Sequence, residues 1–542
     1  MAWSGCKPRP QLEISGQSRG TWRENAWINS ISASPRSIRM RLNSPDFIGA
    51  VKIMQDAHVL LPDALVVLAI VIASRLGDFC SEAMNRRLTY LVALLSSTAA
   101  GVWFAIQSFD SHQYYFFSWM IVIDSFASVM KATVSLGFAI ALVYSRRYLE
   151  DRDMFRDHVF LLGMFSLLGQ LIMISGNHFL MLYLGLELMS LSLYAMVALR
   201  RDVAQSSEAA MKYYVLGALA TGFLLYGISM IYGATGSLEL NEVLKAVASG
   251  RINDAVLLFG VVFIVAGVAF KMGAAPFHMW VPDVYQGAPT AMTLFVGGGP
   301  KVAAFAWGLR FLVMGLLPLA VNWQEMLVIL AALSMIVGNV TGIVQRNIKR
   351  MLAYSAISNM GFVLLGLLAG VVDGKASGAA SAYGSAMFYS IVYLVTTTGT
   401  FGVIMLLARR DFEAEALDDF KGLNQRSPIF AFVMMVMMFS LAGIPPTVGF
   451  YAKLAVLEAT INAGLTWLAV LAVITSLVGA FYYLRIVKLM YFDDPQDATP
   501  IVADTSNRTL LALNGVAVLV LGIVPGPLMT VCLQAISHTL PL

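Results

Sequence analysis

Apolar runs long enough to cross a membrane recur along the chain, from about residue 59 to residue 533. As an α-helix, roughly 20 apolar residues cross a hydrocarbon core of about 30 Å. Composition agrees, because 58% of the 542 residues are hydrophobic and 13% are charged, whereas a soluble domain carries about 25% charged residues. The predicted fold class is therefore all-α, a polytopic membrane protein surrounded by the lipid bilayer and without a nucleic-acid partner.

Polar breaks between the apolar runs predict about fourteen transmembrane spans. In chain order these spans cover residues 59–75, 88–107, 119–145, 158–175, 179–199, 209–232, 255–284, 290–317, 325–345, 351–371, 383–408, 428–459, 465–492 and 509–533. They form a predicted transmembrane domain over residues 54–533. An N-terminal extension, 1–53, precedes this domain, and a C-terminal tail, 534–542, follows it.

The distribution of basic residues gives an independent test of the span count. Loops after odd-numbered spans hold Arg75, Arg86, Arg87, Arg146, Arg147, Arg152, Arg156, Arg200, Arg201, Arg346, Lys349, Arg350, Arg409, Arg410, Lys421 and Arg426, whereas loops after even-numbered spans hold only Lys245, Arg251 and Lys375. A single miscounted span would scramble this alternation. Because basic loops stay on the inner side, both termini are predicted to face the outer side, which is the periplasm in a bacterium.

The N-terminal extension conflicts with that orientation. It is polar, basic and rich in serine, and it lacks the apolar core and cleavage site of a signal peptide. A basic arm that must cross outward is unfavourable in a bacterial membrane. We therefore expect either that translation begins at Met40 or Met54, or that the extension is disordered.

Two predicted spans contain helix-breaking sequences. The seventh is interrupted at Gly273-Ala-Ala-Pro276 and the twelfth at Gly443-Ile-Pro-Pro446. Proline removes a backbone donor and clashes with the preceding turn, so such breaks persist only where protein or a hydrated cavity covers them. Broken segments at corresponding places in two halves point to inverted repeats. We predict two inverted five-helix repeats, over about residues 158–317 and 325–492.

Four ionisable residues lie deep inside predicted spans: Glu187, Lys271, Lys301 and Lys453. A charge at the bilayer centre costs at least about 2.5–3.5 kcal/mol, so each needs a reason. Burial disfavours a charged lysine and a nearby carboxylate favours it. Movement of Glu187 toward or away from Lys271 could therefore drive proton uptake and release. A row of such lysines, joined by water and Ser, Tyr and His side chains, would make a proton path.

Other polar residues in apolar spans have two open interpretations. Lys131, Lys212 and Arg310 either snorkel toward an interface or pair with an acid. His278, just after the first break, is either a proton relay or a packed interfacial histidine. The chain has three cysteines, Cys6, Cys80 and Cys532, and none of them forms a CxxC pair. The glycine-rich stretch Gly297-Gly-Gly-Pro300 is predicted to lie inside an apolar helix, so it is not a phosphate-binding loop. No cofactor is therefore expected in this chain.

Three long motifs resemble subunit N of bacterial NADH–quinone oxidoreductase, respiratory complex I. They are Pro276-Phe-His-Met-Trp-Val-Pro-Asp-Val-Tyr-Gln-Gly-Ala-Pro-Thr290 followed by Pro300-Lys301, the stretch from Gln345 to Gly361, and Gly443-Ile-Pro-Pro-Thr-Val-Gly-Phe-Tyr-Ala-Lys453. The resemblance extends from about residue 57 to the C-terminus. It implies fourteen helices with two inverted repeats, in one of three antiporter-like subunits of the membrane arm.

The resemblance also implies functional roles. Glu187, Lys271, Lys301 and Lys453 match the family's proton-pathway residues, and Lys212 matches a further lysine. NADH, FMN, Fe–S clusters and quinone are then bound by other subunits of the complex. The implied partners are subunits A, J, K, M, L and H, and the implied location is the bacterial inner membrane.

Other readings stay open. Subunits of Mrp-type cation/proton antiporters and of membrane-bound hydrogenases share this fold, but antiporter-type relatives generally carry a glutamate at the position of Lys453 and histidines in the eighth helix. Here Ala291-Met-Thr-Leu-Phe-Val296 contains no histidine, which favours subunit N. The plastid or cyanobacterial type that serves plastoquinone has the same plan. A free-standing secondary transporter is the alternative from another class, but a row of lysines with one acid suits protons better than a bulky solute.

Overall fold

The computed structural model of the protein describes residues 57–250, 253–372, 378–410, 412–496, 499, 501 and 503–540. The predicted extension, residues 1–53, lies outside the described residues, as do Arg251 and Lys375. The first half begins with a 3₁₀ turn, Ala57–Leu60, and continues with α1 (Leu61–Phe79), α2 (Glu82–Gln107), β1 (Tyr114–Phe116), β2 (Ile121–Ile123), α3 (Ser125–Asp151), α4 (Asp157–Ser175), α5 (Phe179–Val197), α6 (Ala204–Thr235), α7 (Leu240–Ala248), α8 (Asp254–Met272), α9 (Trp280–Gly287), α10 (Thr290–Gly297) and α11 (Gly299–Leu309).

The second half of the chain begins with two short turns. A π-helical turn, Arg310–Gly315, and a 3₁₀ turn, Leu317–Leu319, follow α11. The remaining helices are α12 (Ala320–Ile343), α13 (Ile348–Leu368), α14 (Ala379–Leu407), a 3₁₀ turn (Leu417–Phe420), α15 (Leu423–Arg426), α16 (Pro428–Ala442), α17 (Val448–Asn462), α18 (Thr466–Phe492), α19 (Thr505–Ile523) and α20 (Gly526–Thr539).

The helix count confirms the predicted polytopic membrane fold. In the described part of the chain, 12 helices are long and apolar enough to cross a membrane. They match the predicted spans except the eighth and the twelfth, where both helices are too short to cross alone, α10 with α11 and α16 with α17. In the seventh and fourteenth spans, a short helix follows the long one. Twelve and two together give the fourteen predicted spans. The described residues depart from an all-α fold in one small antiparallel hairpin, in which Tyr115 pairs with Val122.

Both predicted helix breaks are present. α8 ends at Met272 and α9 begins at Trp280, while α16 ends at Ala442 and α17 begins at Val448. Gly273 and Gly443 terminate the first helix of each pair with φ of 72° and 83°. This left-handed conformation is readily available only to glycine, which explains the residue type at both positions.

The prediction of a continuous helix through Gly297-Gly-Gly-Pro300 was wrong. α10 ends at Gly297 and α11 begins at Gly299, because Gly298 has φ −91° and ψ −104°, far from helical values. Pro300 offers no N–H, and its ring would clash with the carbonyl four residues earlier in a continuous helix. The last predicted span is likewise two helices, and α20 continues to Thr539, past the predicted start of the tail at residue 534.

Two helices form the centre of the transmembrane domain. α13 and α14 are buried along almost their whole length, whereas α1, α2, α6 and α18 expose apolar faces. Close helix contacts fix the arrangement around them. A Cβ built on Gly169 of α4 would lie 2.4 Å from the backbone nitrogen of Met189. Glycine therefore lets α5 approach α4 closely, and α5 carries the predicted site residue Glu187.

The cations Lys131 and Arg310, whose roles the sequence left open, are paired. The Lys131 side chain is 1% exposed, and its amine lies 2.8 Å from the Asp63 carboxylate of α1. Arg310 is 0% exposed and donates to both carboxylate oxygens of Asp124, at 2.8 and 2.9 Å. Since an unpaired buried charge is strongly destabilising, these pairs connect α1 to α3 and the end of α11 to the start of α3.

Candidate functional site: two broken helices capped by lysines

Lys301 occupies the first helix break. Its amine donates to the carbonyl oxygen of Met272 at 2.8 Å and to that of Lys271 at 3.4 Å, and its side chain is 2% exposed. The last carbonyls of a helix have no partner within the helix, and the helix dipole favours a cation there. Lys301 on α11 therefore caps α8, and the ring of Trp280 lies 4.8 Å from its amine.

Lys271 projects from the last turn of α8 toward α5. Its amine donates to Ser190 Oγ at 2.7 Å and lies 3.5 Å from the hydroxyl of Tyr194. Ser190 Oγ in turn donates to the carbonyl of Leu186 at 2.6 Å. The two lysines near the first break thus use different partners, since Lys301 binds backbone carbonyls and Lys271 binds hydroxyl groups.

Glu187 lies on α5, one turn before Ser190. The side chain is half-buried, and one carboxylate oxygen is buried without a hydrogen-bond partner. No salt bridge within 4.0 Å joins it to Lys271 in the part of the chain that the structure describes. The structure therefore brings the predicted acid and lysine to the same side of α5, with Ser190 as the residue that contacts the lysine.

Lys453 occupies the second break. Its amine donates to the carbonyl of Ala442, the last residue of α16, at 2.9 Å and to Ser476 Oγ of α18 at 2.7 Å. The ring of Phe362 lies 5.1 Å from the amine. This lysine also caps a half-helix that ends in a left-handed glycine, as Lys301 does.

A buried polar network lies between the two breaks, and sequence reasoning missed it. The Tyr389 hydroxyl donates to Asn359 Oδ1 at 2.7 Å, and Asn359 Nδ2 donates to the carbonyl of Ser355 at 2.9 Å. Ser355 Oγ and the Tyr483 hydroxyl share a further hydrogen bond. The available signal was the polar pair Ser355 and Asn359, four residues apart and hence on one face of an otherwise buried helix.

The network extends toward the first break. A cavity of about 10 Å³ is lined by Tyr285, Ser355, Tyr393 and Thr397. Tyr285 is 1% exposed, and a Cβ built on Gly297 would lie 2.5 Å from its hydroxyl oxygen. Polar side chains of α9 and α14 therefore line this cavity together with Ser355 of α13, the residue that is hydrogen-bonded to Tyr483 of α18.

Lys212 and His278 lie apart from the lysines that cap the helices. The amine of Lys212 is 2.8 Å from both Glu208 and Asp283, and the side chain is 43% exposed. Asp283 also accepts from Arg350 at 2.7 Å. His278 is half-buried in the connection between α8 and α9, and its Nδ1 is buried without a hydrogen-bond partner.

Lys349 is a further buried lysine, which the sequence placed only among basic loop residues. It lies in the first turn of α13, and its side chain is 2% exposed. Its amine donates to the Ala288 carbonyl at 2.9 Å and lies 2.5 Å from the Glu415 carboxylate. Among the described residues, no group of three or more His, Cys, Asp or Glu side chains could hold a metal ion.

Comparison with known proteins places this arrangement in a family. The family described as "NADH:quinone oxidoreductase/Mrp antiporter, TM" matches residues 176–479. NADH-quinone oxidoreductase subunit N of Paraburkholderia phymatum is 81% identical over 493 residues, which cover 90% of this chain and 100% of that protein. The chain belongs to the subunit N family. Subunit N of Cupriavidus taiwanensis is 59% identical over 489 residues, covering 90% of this chain and 100% of the relative.

Solved structures share the fold of this chain. A chain of respiratory complex I from Thermus thermophilus with bound aureothin superposes with a TM-score of 0.74 and 29% identity, covering 86% of this chain and 98% of that chain. A chain of the Mrp complex from Dietzia sp. gives a TM-score of 0.76 at 18% identity, covering 88% and 97%. The second likeness shows a shared fold alone. The family resemblance predicted from the motifs is confirmed.

Proposed function

We propose that this member of the subunit N family is a proton-translocating, antiporter-like subunit in the membrane arm of an NADH–quinone oxidoreductase. Its partners on this proposal are subunits A, J, K, M, L and H of a bacterial inner-membrane complex. NADH oxidation and quinone reduction, with FMN and Fe–S clusters, take place in other subunits. Both termini face the outer side, and residues 158–317 and 325–492 are the two inverted repeats.

One observation carries the proposal: a lysine amine caps each of the two predicted helix breaks, and Lys301 is buried while Lys453 is partly buried. An amine that binds carbonyls can gain and lose a proton without leaving its helix. Lys301 binds the backbone carbonyl of Lys271 at 3.4 Å, while the amine of Lys271 points to Ser190, so both side chains belong to the first break. Because two charged amines repel each other strongly in a low-dielectric site, protonation of one lysine favours deprotonation of the other. The polar network of Tyr285, Ser355 and Asn359 then connects the first break to Lys453.

The experiment compares variants in the assembled complex in membrane vesicles. Lys271→Ala and Glu187→Ala should each lower proton pumping and coupled quinone reduction several-fold while assembly stays intact. The control is Lys245→Ala, since Lys245 is 72% exposed and pairs only locally with Glu242. Unchanged pumping in both variants would remove Lys271 and Glu187 from the mechanism. Purification adds a second test, since a protein active alone would support a free-standing transporter instead.

A further inference from the structure

A charged cavity opens where the basic loops meet. Its volume is about 580 Å³, and it is lined by residues that follow α3, α5 and α14, among them Asp151, Arg152, Arg200, Asp202, Arg410 and Glu413. These segments belong to the loops after odd-numbered spans, the predicted inner side. A proton path through buried lysines needs a group that collects protons from water, and this cavity brings water toward the interior.

Glu413 lies where the cavity meets the packed helices. Its carboxylate is 27% exposed and accepts from Arg152 Nε and from the Tyr148 hydroxyl, both at 2.8 Å. Its second oxygen lies 3.5 Å from Thr290 Oγ1, and Arg200 is 3.9 Å away. This acid thus lines the cavity on one side and contacts buried groups on the other.

Tyr148 connects this acid to the eighth span. It is 2% exposed, its hydroxyl donates to Glu413, and the same oxygen accepts the N–H of Thr290 at 3.0 Å. Thr290 is the first residue of α10. The N-terminal end of α10 therefore lies beside Glu413. Tyr148 fixes the carboxylate at the start of the half-helix.

A second cavity lies at the other end of α10. It has a volume of about 20 Å³ beside Gly298 and Gly299, and Ser166, Gln170 and Thr398 supply its polar lining. The side-chain oxygen of Gln170 is buried there without a hydrogen-bond partner. Its other lining residues are mostly apolar, but a space of that size with three polar side chains can hold one water. Since the eight residues of α10 extend over about 12 Å, groups that can bind water stand at both ends of a short half-helix.

We propose that Glu413 is the proton-collecting residue of the path and that Tyr148 is its positioning residue. This inference rests on the proposed function. The carboxylate takes one proton from cavity water and releases the same proton to water on the α10 side, so that Glu413 returns to its starting state. The second cavity lies on the way toward α11, which carries Lys301.

The contrasting interpretation is a structural latch, in which Glu413 only holds its segment against α3 and α10. Glu413→Gln separates the two, because the amide oxygen still accepts from Arg152 and Tyr148 but cannot take up a proton. In vesicles that contain the assembled complex, we expect Glu413→Gln to lower pumping and coupled quinone reduction several-fold, and Glu413→Asp to restore part of the rate. Asp202→Asn is the matched control, an acid in the same cavity, and should retain the wild-type rate.

The outcomes distinguish this inference from the proposed function. If Glu413→Gln pumps at the wild-type rate while Lys271→Ala loses pumping, Glu413 is not the proton-collecting residue. The proposed path through the lysines would then still stand. Wild-type pumping in both variants would also remove Lys271 from the path on which the proposed function rests. If Glu413→Gln fails to assemble, Tyr148→Phe serves as the test, because it keeps the ring and the Arg152 pair. We expect about a threefold loss in Tyr148→Phe, and an unchanged rate would overturn the proposal.

Discussion

At both helix breaks a lysine binds the free carbonyls at the end of a half-helix, but the lysine comes from a different part of the chain in each case. At the first break, the capping lysine comes from another segment, because Lys301 on α11 reaches the end of α8. At the second break, Lys453 on α17 folds back onto the end of α16, the other half of its own broken span. A second lysine, Lys271, and an acid, Glu187, accompany the first break, whereas the hydroxyl of Ser476 accompanies the second.

This difference suggests a division of tasks. The first break joins three separate segments, α5, α8 and α11, so a change of charge on one lysine affects groups that belong to different helices. At the second break, Lys453 binds the Ala442 carbonyl, which belongs to its own broken span. This contact therefore does not depend on the helices of the first break. We interpret the first break as the place where protons pass between lysines on different helices. We interpret Lys453 at the second break as the end of the proton path.

Removing the capping amines should give the largest effect. Lys301→Met keeps an unbranched side chain of similar length, but the carbonyls of Met272 and Lys271 lose the donor that Lys301 supplies. In Lys453→Met the carbonyl of Ala442 keeps Ser476 Oγ at 3.5 Å. We expect the rate of proton pumping to fall about tenfold or more in Lys301→Met and by a smaller factor in Lys453→Met. A tenfold loss of rate corresponds to ~1.4 kcal/mol of activation free energy. Equal losses, measured in vesicles, would contradict the proposed asymmetry.

Filling the glycine at each break should give an intermediate effect. A Cβ on Gly273 would lie 2.8 Å from the Lys301 amine itself, whereas a Cβ on Gly443 would lie 2.8 Å from Lys453 Cδ, a flexible methylene. Both alanines also suffer the left-handed backbone, a cost of about 1 kcal/mol. We therefore expect similar losses of thermal stability in Gly273→Ala and Gly443→Ala. Pumping should fall more in Gly273→Ala, and a reversed order would argue against amine placement as the cause.

Replacing the serine partner of each lysine should give the smallest effect. Ser190→Ala leaves Lys271 with the Tyr194 hydroxyl at 3.5 Å, whereas Ser476→Ala leaves Lys453 with the Ala442 carbonyl at 2.9 Å. We expect a loss of pumping of about two- to fivefold in Ser190→Ala, in line with one net hydrogen bond of about 0.5–1.5 kcal/mol. Ser476→Ala should stay close to the wild type. Threonine at position 190, which restores a hydroxyl, is the control.

Features that depend on local chemistry could be predicted from the sequence. Proline and glycine act on their own helix, so the breaks at Pro276 and at Pro445-Pro446 were predicted at the right places. The break at Gly298 was missed because its surroundings are apolar, although Pro300 follows two residues later. Partners across helices were beyond local patterns: nothing near Lys212 in sequence indicates Asp283, which is 71 residues away. The first-turn position of Lys349 likewise concealed its burial.

The narrow network between the breaks has a consequence for which ions can pass. The side chains of Tyr389, Asn359, Ser355 and Tyr483 are hydrogen-bonded one to the next. The cavity beside Tyr285 measures about 10 Å³, close to the smallest space that holds one water. A sodium ion needs several oxygen ligands around it at every step, as cations do in selective pores. On the proposed path, discrimination between protons and sodium then requires no dedicated filter, because only the width of the passage decides.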